Sequence, residues 1–104
     1  METSTLSAVR ALRIHPRDNV AVALVDLDAG TRVEVVSDEG AAEVVAADHV
    51  PFAHKMAVME IAAGADVRKY GVPVGFATRA IRAGEWVHQH NTRSHFEAMR
   101  ERPA

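Results

Sequence analysis

The sequence predicts a single small domain that is mainly β, and three observations carry that reading. The apolar residues come in short, β-branched runs closed by turn residues, the pattern of strands rather than of long helices. One of those runs alternates apolar with polar. A glycine-containing pattern also recurs along the chain: Ile61-Ala62-Ala63-Gly64-Ala65-Asp66-Val67 matches Ile81-Arg82-Ala83-Gly84-Glu85-Trp86-Val87, and Leu27-Asp28-Ala29-Gly30-Thr31-Arg32-Val33 is a looser copy. Each copy reads as an apolar anchor, a tight turn opened by glycine, and a strand restarting after it.

In chain order, Ala11–Ile14 is a short apolar stretch leading into His15-Pro16-Arg17-Asp18-Asn19, where proline and the Asx side chains specify a turn. Val20–Val25 follows as a buried strand. Asp28-Ala29-Gly30 breaks it, and Thr31–Val36 resumes as a strand with Val33 and Val35 on one face and Arg32 and Glu34 on the other. Ser37-Asp38-Glu39-Gly40 is a turn, and Ala41–Ala47 is read as a further strand. The segment from Phe52 to Met59 fits a strand or a short helix. Ser94–Arg100 has room for one or two helical turns.

With 104 residues the chain suits one domain with a modest core. A formal net charge of −2 argues against nucleic acid as the main partner, which would need a clustered basic surface. The arginines at 79, 82, 93 and 100 make the last quarter locally basic, which suits an acidic small molecule, an acidic protein face or plain solvation. There are no cysteines, so disulfides, thiolate metal sites and cysteine nucleophiles are excluded. No apolar run approaches the roughly 20 residues of a membrane span, and no secretory signal is evident at the N-terminus. These features predict a cytoplasmic protein.

Polar residues that could do chemistry fall in four clusters. In a continuous strand Trp86, His88 and His90 would share one face, with Val87 and Gln89 on the other. The two imidazoles would then stand roughly 7 Å apart at Cα, close enough to ligate one metal ion or flank one substrate. An exposed pair on a wet edge strand is the plain alternative. Lys69 and Tyr70 occupy the equivalent place in the preceding copy, although a tyrosine packed with its hydroxyl wet is commoner. His54-Lys55 pairs an imidazole with a cation and ordinarily reads as surface. His15-Pro16-Arg17-Asp18-Asn19 reads first as a structural Asx turn. His49 and His95 are read as surface residues. No Ser/His/Asp arrangement, phosphate-binding loop or paired-carboxylate pattern stands out.

The ordered set of clusters resembles a known family. His15-Pro16-Arg17-Asp18-Asn19-Val20-Ala21-Val22-Ala23, Ala53-His54-Lys55-Met56-Ala57, Lys69-Tyr70-Gly71 with Val74-Gly75, and Ala83-Gly84-Glu85-Trp86-Val87-His88-Gln89-His90-Asn91 look like the N-terminal SAF-type domain of altronate and galactarate dehydratases. The same domain occurs as a separate small subunit of two-part altronate dehydratases and of sulfolactate sulfo-lyase. The resemblance covers residues 11–93, leaving 1–10 as a flexible leader and 94–104 as a C-terminal tail.

The resemblance implies a β-clip fold of short strands and long loops. It also implies a hydro-lyase that converts a sugar acid to a 2-keto-3-deoxy acid, with a divalent metal, iron or manganese, held mostly by a large catalytic subunit. On that reading the small anionic hydroxy acid meets His88 and His90 as catalytic residues and metal ligands, and Asn91, His54, Lys55, Tyr70 and His15 as binding residues. The isolated chain is expected to be inactive, and a homo-oligomer is compatible with it; neither nucleic acid nor membrane is expected as a partner. Two departures from the family pattern stand out: Ala53 replaces the usual glycine before His-Lys, which would be strained if φ is positive there, and Thr92 follows Asn91 where Val or Leu is common. The alternatives are the small subunit of a sulfolactate sulfo-lyase and a non-catalytic SAF binding module. The latter would gain if the polar clusters were far apart in the structure.

Overall fold

A computed structural model describes residues 9–95, with side chains from Arg10. The proposed helical turns in the tail fall almost wholly outside these residues, as does most of the leader. Strands are β1 (Val9–Leu12), β2 (Val20–Ala23), β3 (Arg32–Ser37), β4 (Gly40–Val45), β5 (Lys55–Ala57), β6 (Asp66–Lys69), β7 (Val72–Ala77), β8 (Trp86–Val87) and β9 (Thr92–Arg93). The mainly β expectation holds, and the ambiguous 52–59 segment supplies strand β5. Val9 and Arg10, placed with the leader on sequence, pair with β3.

Six strands form one sheet in the order β4-β3-β1-β2-β5-β8, and three form a second, β6-β7-β9. Only β1 and β3 run parallel; the other pairs in these sheets are antiparallel. As the alternation predicted, Val33 and Val35 of β3 are buried.

The glycine repeat organises both cores, and it has four copies rather than three. Leu27 and Val50 exchange backbone hydrogen bonds across one isolated bridge, and Ile61 and Ile81 do the same across another. Each of these four residues stands four positions after a buried alanine: Ala23, Ala46, Ala57 and Ala77. Three residues after each anchor, the amide of Gly30, Ala53, Gly64 or Gly84 donates to the alanine carbonyl of the partner copy. The alanine amide of that partner in turn donates to the next carbonyl, that of Thr31, His54, Ala65 or Glu85. Each bridge is therefore a reciprocal clasp between two copies.

The φ angles at these turn positions are 89° at Gly30, 71° at Ala53, 85° at Gly64 and 92° at Gly84. Ala53 is thus an alanine in the left-handed position that glycine fills in the other three copies, the strain its sequence context foretold.

Each clasp seeds one hydrophobic cluster. Ala23, Leu27, Val33, Ala46, Val50 and Met56 belong to the first; Ala57, Ile61, Val67, Ala77, Ile81 and Val87 belong to the second. The clusters are tied together by Asp18 and Asn19. Asp18 is buried, and its carboxylate accepts from the amides of His15, Tyr70 and Gly71 at 2.7–3.1 Å. Asn19 donates to the Asp66 carbonyl and accepts from the Arg68 amide. The turn after β1 thereby fixes the β6–β7 hairpin. The structural reading of the His15–Asn19 turn is the one the structure supports.

Candidate functional site: an imidazole and lysine cluster around Trp86

The antiparallel pairing of β5 with β8 sets Lys55 opposite Val87 and Met56 opposite Trp86. Residues far apart in sequence therefore meet: His54 lies 5.6 Å from Trp86 and 5.0 Å from His88, ring centre to ring centre. His88 stacks on the indole with planes 7° apart at 5.0 Å, and His90 packs against it at 5.2 Å. The Trp86 Nε1–H donates to His54 Nδ1 at 3.2 Å.

One expectation needs correcting. The strand ends at Val87, and residues 88–91 form a turn, with the amides of Asn91 and Thr92 both donating to the His88 carbonyl. His88 and His90 border different clefts. His88 borders a cleft of about 250 Å³ that Lys55, Gln89, Thr92 and Arg93 also line. His90 borders a wider cleft of about 600 Å³ beyond Trp86, with Arg79 and Arg82.

The first cleft is electropositive. Burial, and then the nearby charge of Lys69, lower the Lys55 pKa from its ordinary value of 10.5. His88 is likewise lowered from 6.5, first by burial and then by repulsion from His54, Lys55 and His90. Burial thus disfavours the charged forms of Lys55 and His88, which an incoming carboxylate would favour.

The remaining candidates are placed differently. Asn91 is fully buried; its Oδ1 accepts from the His88 amide and its Nδ2 donates to the Trp86 carbonyl. Both ends of its side chain hold the turn that presents His88, so its part is to shape the site. His15 packs against Gly71, where an added Cβ would come within 2.8 Å of the imidazole, and its Nδ1 accepts from the Arg17 amide. Tyr70, at φ 60°, is exposed, with the Lys69 ammonium 4.8 Å from its ring centre. The structure joins His54, Lys55, His88 and His90; it places His15 and Tyr70 with the Asp18 turn instead.

Sequence reasoning gives no site role to Trp86, and weighs Lys69 only with Tyr70 as a group that could do chemistry. The signal for Trp86 was its place between the two strand-paired clusters, which becomes visible only once β5 and β8 are paired. Among the described residues, no group of three or more His, Asp or Glu side chains is arranged to hold a metal ion. These imidazoles do not by themselves make a complete metal site. No helix among these residues is long and apolar enough to cross a membrane.

A small, mainly β domain with a cleft lined by lysine, arginine and histidine is the class these features define. Residues 9–95 match the altronate/galactarate dehydratase SAF domain, and the chain belongs to that family. It is 48% identical over 88 residues to altronate dehydratase of Escherichia coli, covering 85% of this chain and 17% of that enzyme. It is 36% identical over 78 residues to galactarate dehydratase (L-threo-forming) of the same organism, covering 73% and 14%. A third match, 40% over 47 residues, is to (2R)-sulfolactate sulfo-lyase subunit alpha of Chromohalobacter salexigens, covering 45% and 50%. The chain spans less than a fifth of the length of the dehydratases it matches.

Proposed function

We propose that this chain is the small subunit of a cytoplasmic hydro-lyase that dehydrates a sugar acid of the altronate or galactarate type to a 2-keto-3-deoxy acid, in a site completed by a large catalytic subunit. The observation that carries the reading is the meeting of Lys55 and His88 at one small electropositive cleft, with His54 packed against His88, in a chain of this family. An adaptor gains nothing from such a convergence. A hydroxy acid needs it: one end is a carboxylate, and a hydroxyl must leave as water.

Lys55, with Lys69 beside it, holds the carboxylate, which in turn favours its charged form. His88, neutral in the empty cleft, is placed to lie along the substrate and to exchange a proton with its hydroxyl or carboxylate oxygens. The α proton is taken by a base on the large subunit, which leaves His88 to the substrate oxygens. A divalent metal, iron or manganese, would stabilise the enediolate charge that develops, with its ligands coming chiefly from the large subunit.

The match to a sulfo-lyase subunit supports the two-chain arrangement, since in that enzyme the matching segment belongs to a subunit of its own. It also brings (2R)-sulfolactate into the substrate screen as the second reading. The test is co-purification from the native host followed by assay of the complex on altronate, galactarate and sulfolactate with added divalent metal. A stoichiometric larger partner and turnover of one sugar acid are expected. A chain that purifies alone and binds none of these acids would overturn the proposal in favour of a stand-alone binding module.

A further inference from the structure

We infer that Trp86 is a positioning residue that fixes His54 as its Nε2–H tautomer, making that imidazole a hydrogen-bond donor to an oxygen of the bound hydroxy acid. The inference rests on the function proposed above for its ligand, but not for its chemistry. An indole nitrogen can only donate, so His54 Nδ1, 3.2 Å from Trp86 Nε1, must offer a lone pair. A neutral imidazole that accepts at Nδ1 carries its proton at Nε2. Among the described residues Nε2 has no hydrogen-bond partner of its own.

The assignment divides the labour between neighbouring imidazoles. His54 presents an N–H and is neither the base nor an Nε2 metal ligand. His88 is held by the stacked face of the same indole and, among the described residues, by no hydrogen bond to its ring. It keeps its choice of tautomer and remains free to exchange a proton. One tryptophan thus commits one ring and leaves the next uncommitted. Two further contacts keep the indole in place: the Trp86 amide donates to Asp48 Oδ2, and its carbonyl accepts from Asn91 Nδ2.

The test is the imidazole ¹⁵N spectrum of the whole chain at a pH where His54 is neutral, in the wild type and in Trp86→Phe, which keeps an aromatic ring and removes the donor. Wild-type His54 is expected to show a bare Nδ1 and a protonated Nε2. In the variant the share of His54 protonated at Nδ1 should rise to that of a free neutral imidazole, and binding of altronate or galactarate by the assembled enzyme should weaken about tenfold, the loss of one hydrogen bond to a charged group. A wild-type His54 protonated at Nδ1 overturns the inference, as does a tautomer that Trp86→Phe leaves unchanged. Should the variant fail to fold, a wild-type Nε2–H population above that of a free neutral imidazole upholds the inference and one no higher overturns it. An Nε2–H tautomer in a protein whose complex binds neither acid would uphold the role of Trp86 and overturn the dehydratase reading instead.

Discussion

At the scale of single residues, Ala53 is the plainest misfit between a side chain and its backbone. A β-carbon in the left-handed region costs about 1–2 kcal/mol, and glycine gives part of that back as extra unfolded-state freedom. Ala53→Gly should therefore stabilise the fold by about 0.5–1 kcal/mol and raise the melting temperature by a few degrees, read by thermal denaturation. Asp18 is the opposite case. Its carboxylate accepts from three amides in the interior, and Asp18→Asn turns one acceptor into a donor facing donors. A loss of about 2–4 kcal/mol is expected from chemical denaturation.

The sequence announced the strain at Ala53 through its missing glycine. It offered Asn91 as a binding residue, because nothing in a sequence distinguishes an amide that reaches a ligand from one that closes its own turn. The carboxylate of Asp18 was legible as turn chemistry, but its partners Tyr70 and Gly71 lie more than fifty residues away.

Among the elements, the clasps make unequal demands on their turns. A β-carbon at Gly30 or Gly64 meets open space, whereas at Gly84 it would lie 2.1 Å from the Val45 carbonyl oxygen. Gly30→Ala and Gly64→Ala should each cost about 1–2 kcal/mol, from backbone strain alone. Gly84→Ala should cost distinctly more, since β4 must also retreat. Equal losses across the three variants would refute this account. Three of the four copies could be read from sequence because glycine marks them. The copy from Val50 to Met56 was hidden, since Pro51, Phe52 and Ala53 replace the residues that define the pattern. The His pair was legible as a pair, but not its parting into two clefts. That depends on the strand ending at Val87, which the turn-forming Asn91 brings about through hydrogen bonds local alternation does not reveal.

For the whole molecule, the electrostatics of the cleft set a pH response with a definite sign. His88 resists protonation in the folded state, so the unfolded chain binds the proton more readily. Stability should accordingly fall as pH drops through and below the ordinary imidazole value of 6.5. His88→Gln should flatten that part of the profile, and a variant profile parallel to the wild type would show that other groups dominate. Anion binding runs the other way. A carboxylate in the cleft favours the charged forms of His88 and Lys55, so binding should take up protons, measurable by calorimetry in buffers of different ionisation enthalpy. The mainly β architecture was legible in turn residues and short apolar runs. The meeting of His54 with His88 was not, because it depends on pairing two short strands across a long stretch of chain.

The reciprocal clasp at Ile61 and Ile81 has a consequence for assembly. Each copy donates to and accepts from the other through the same pair of backbone groups, so the exchange is satisfied equally well when the two copies come from different molecules. Refolding at high protein concentration should therefore yield some domain-swapped dimer, with the second hydrophobic cluster rebuilt from two chains and every backbone hydrogen bond of the monomer retained. Such a dimer would part only through unfolding, and so would persist on dilution long after an ordinary surface association had dissolved.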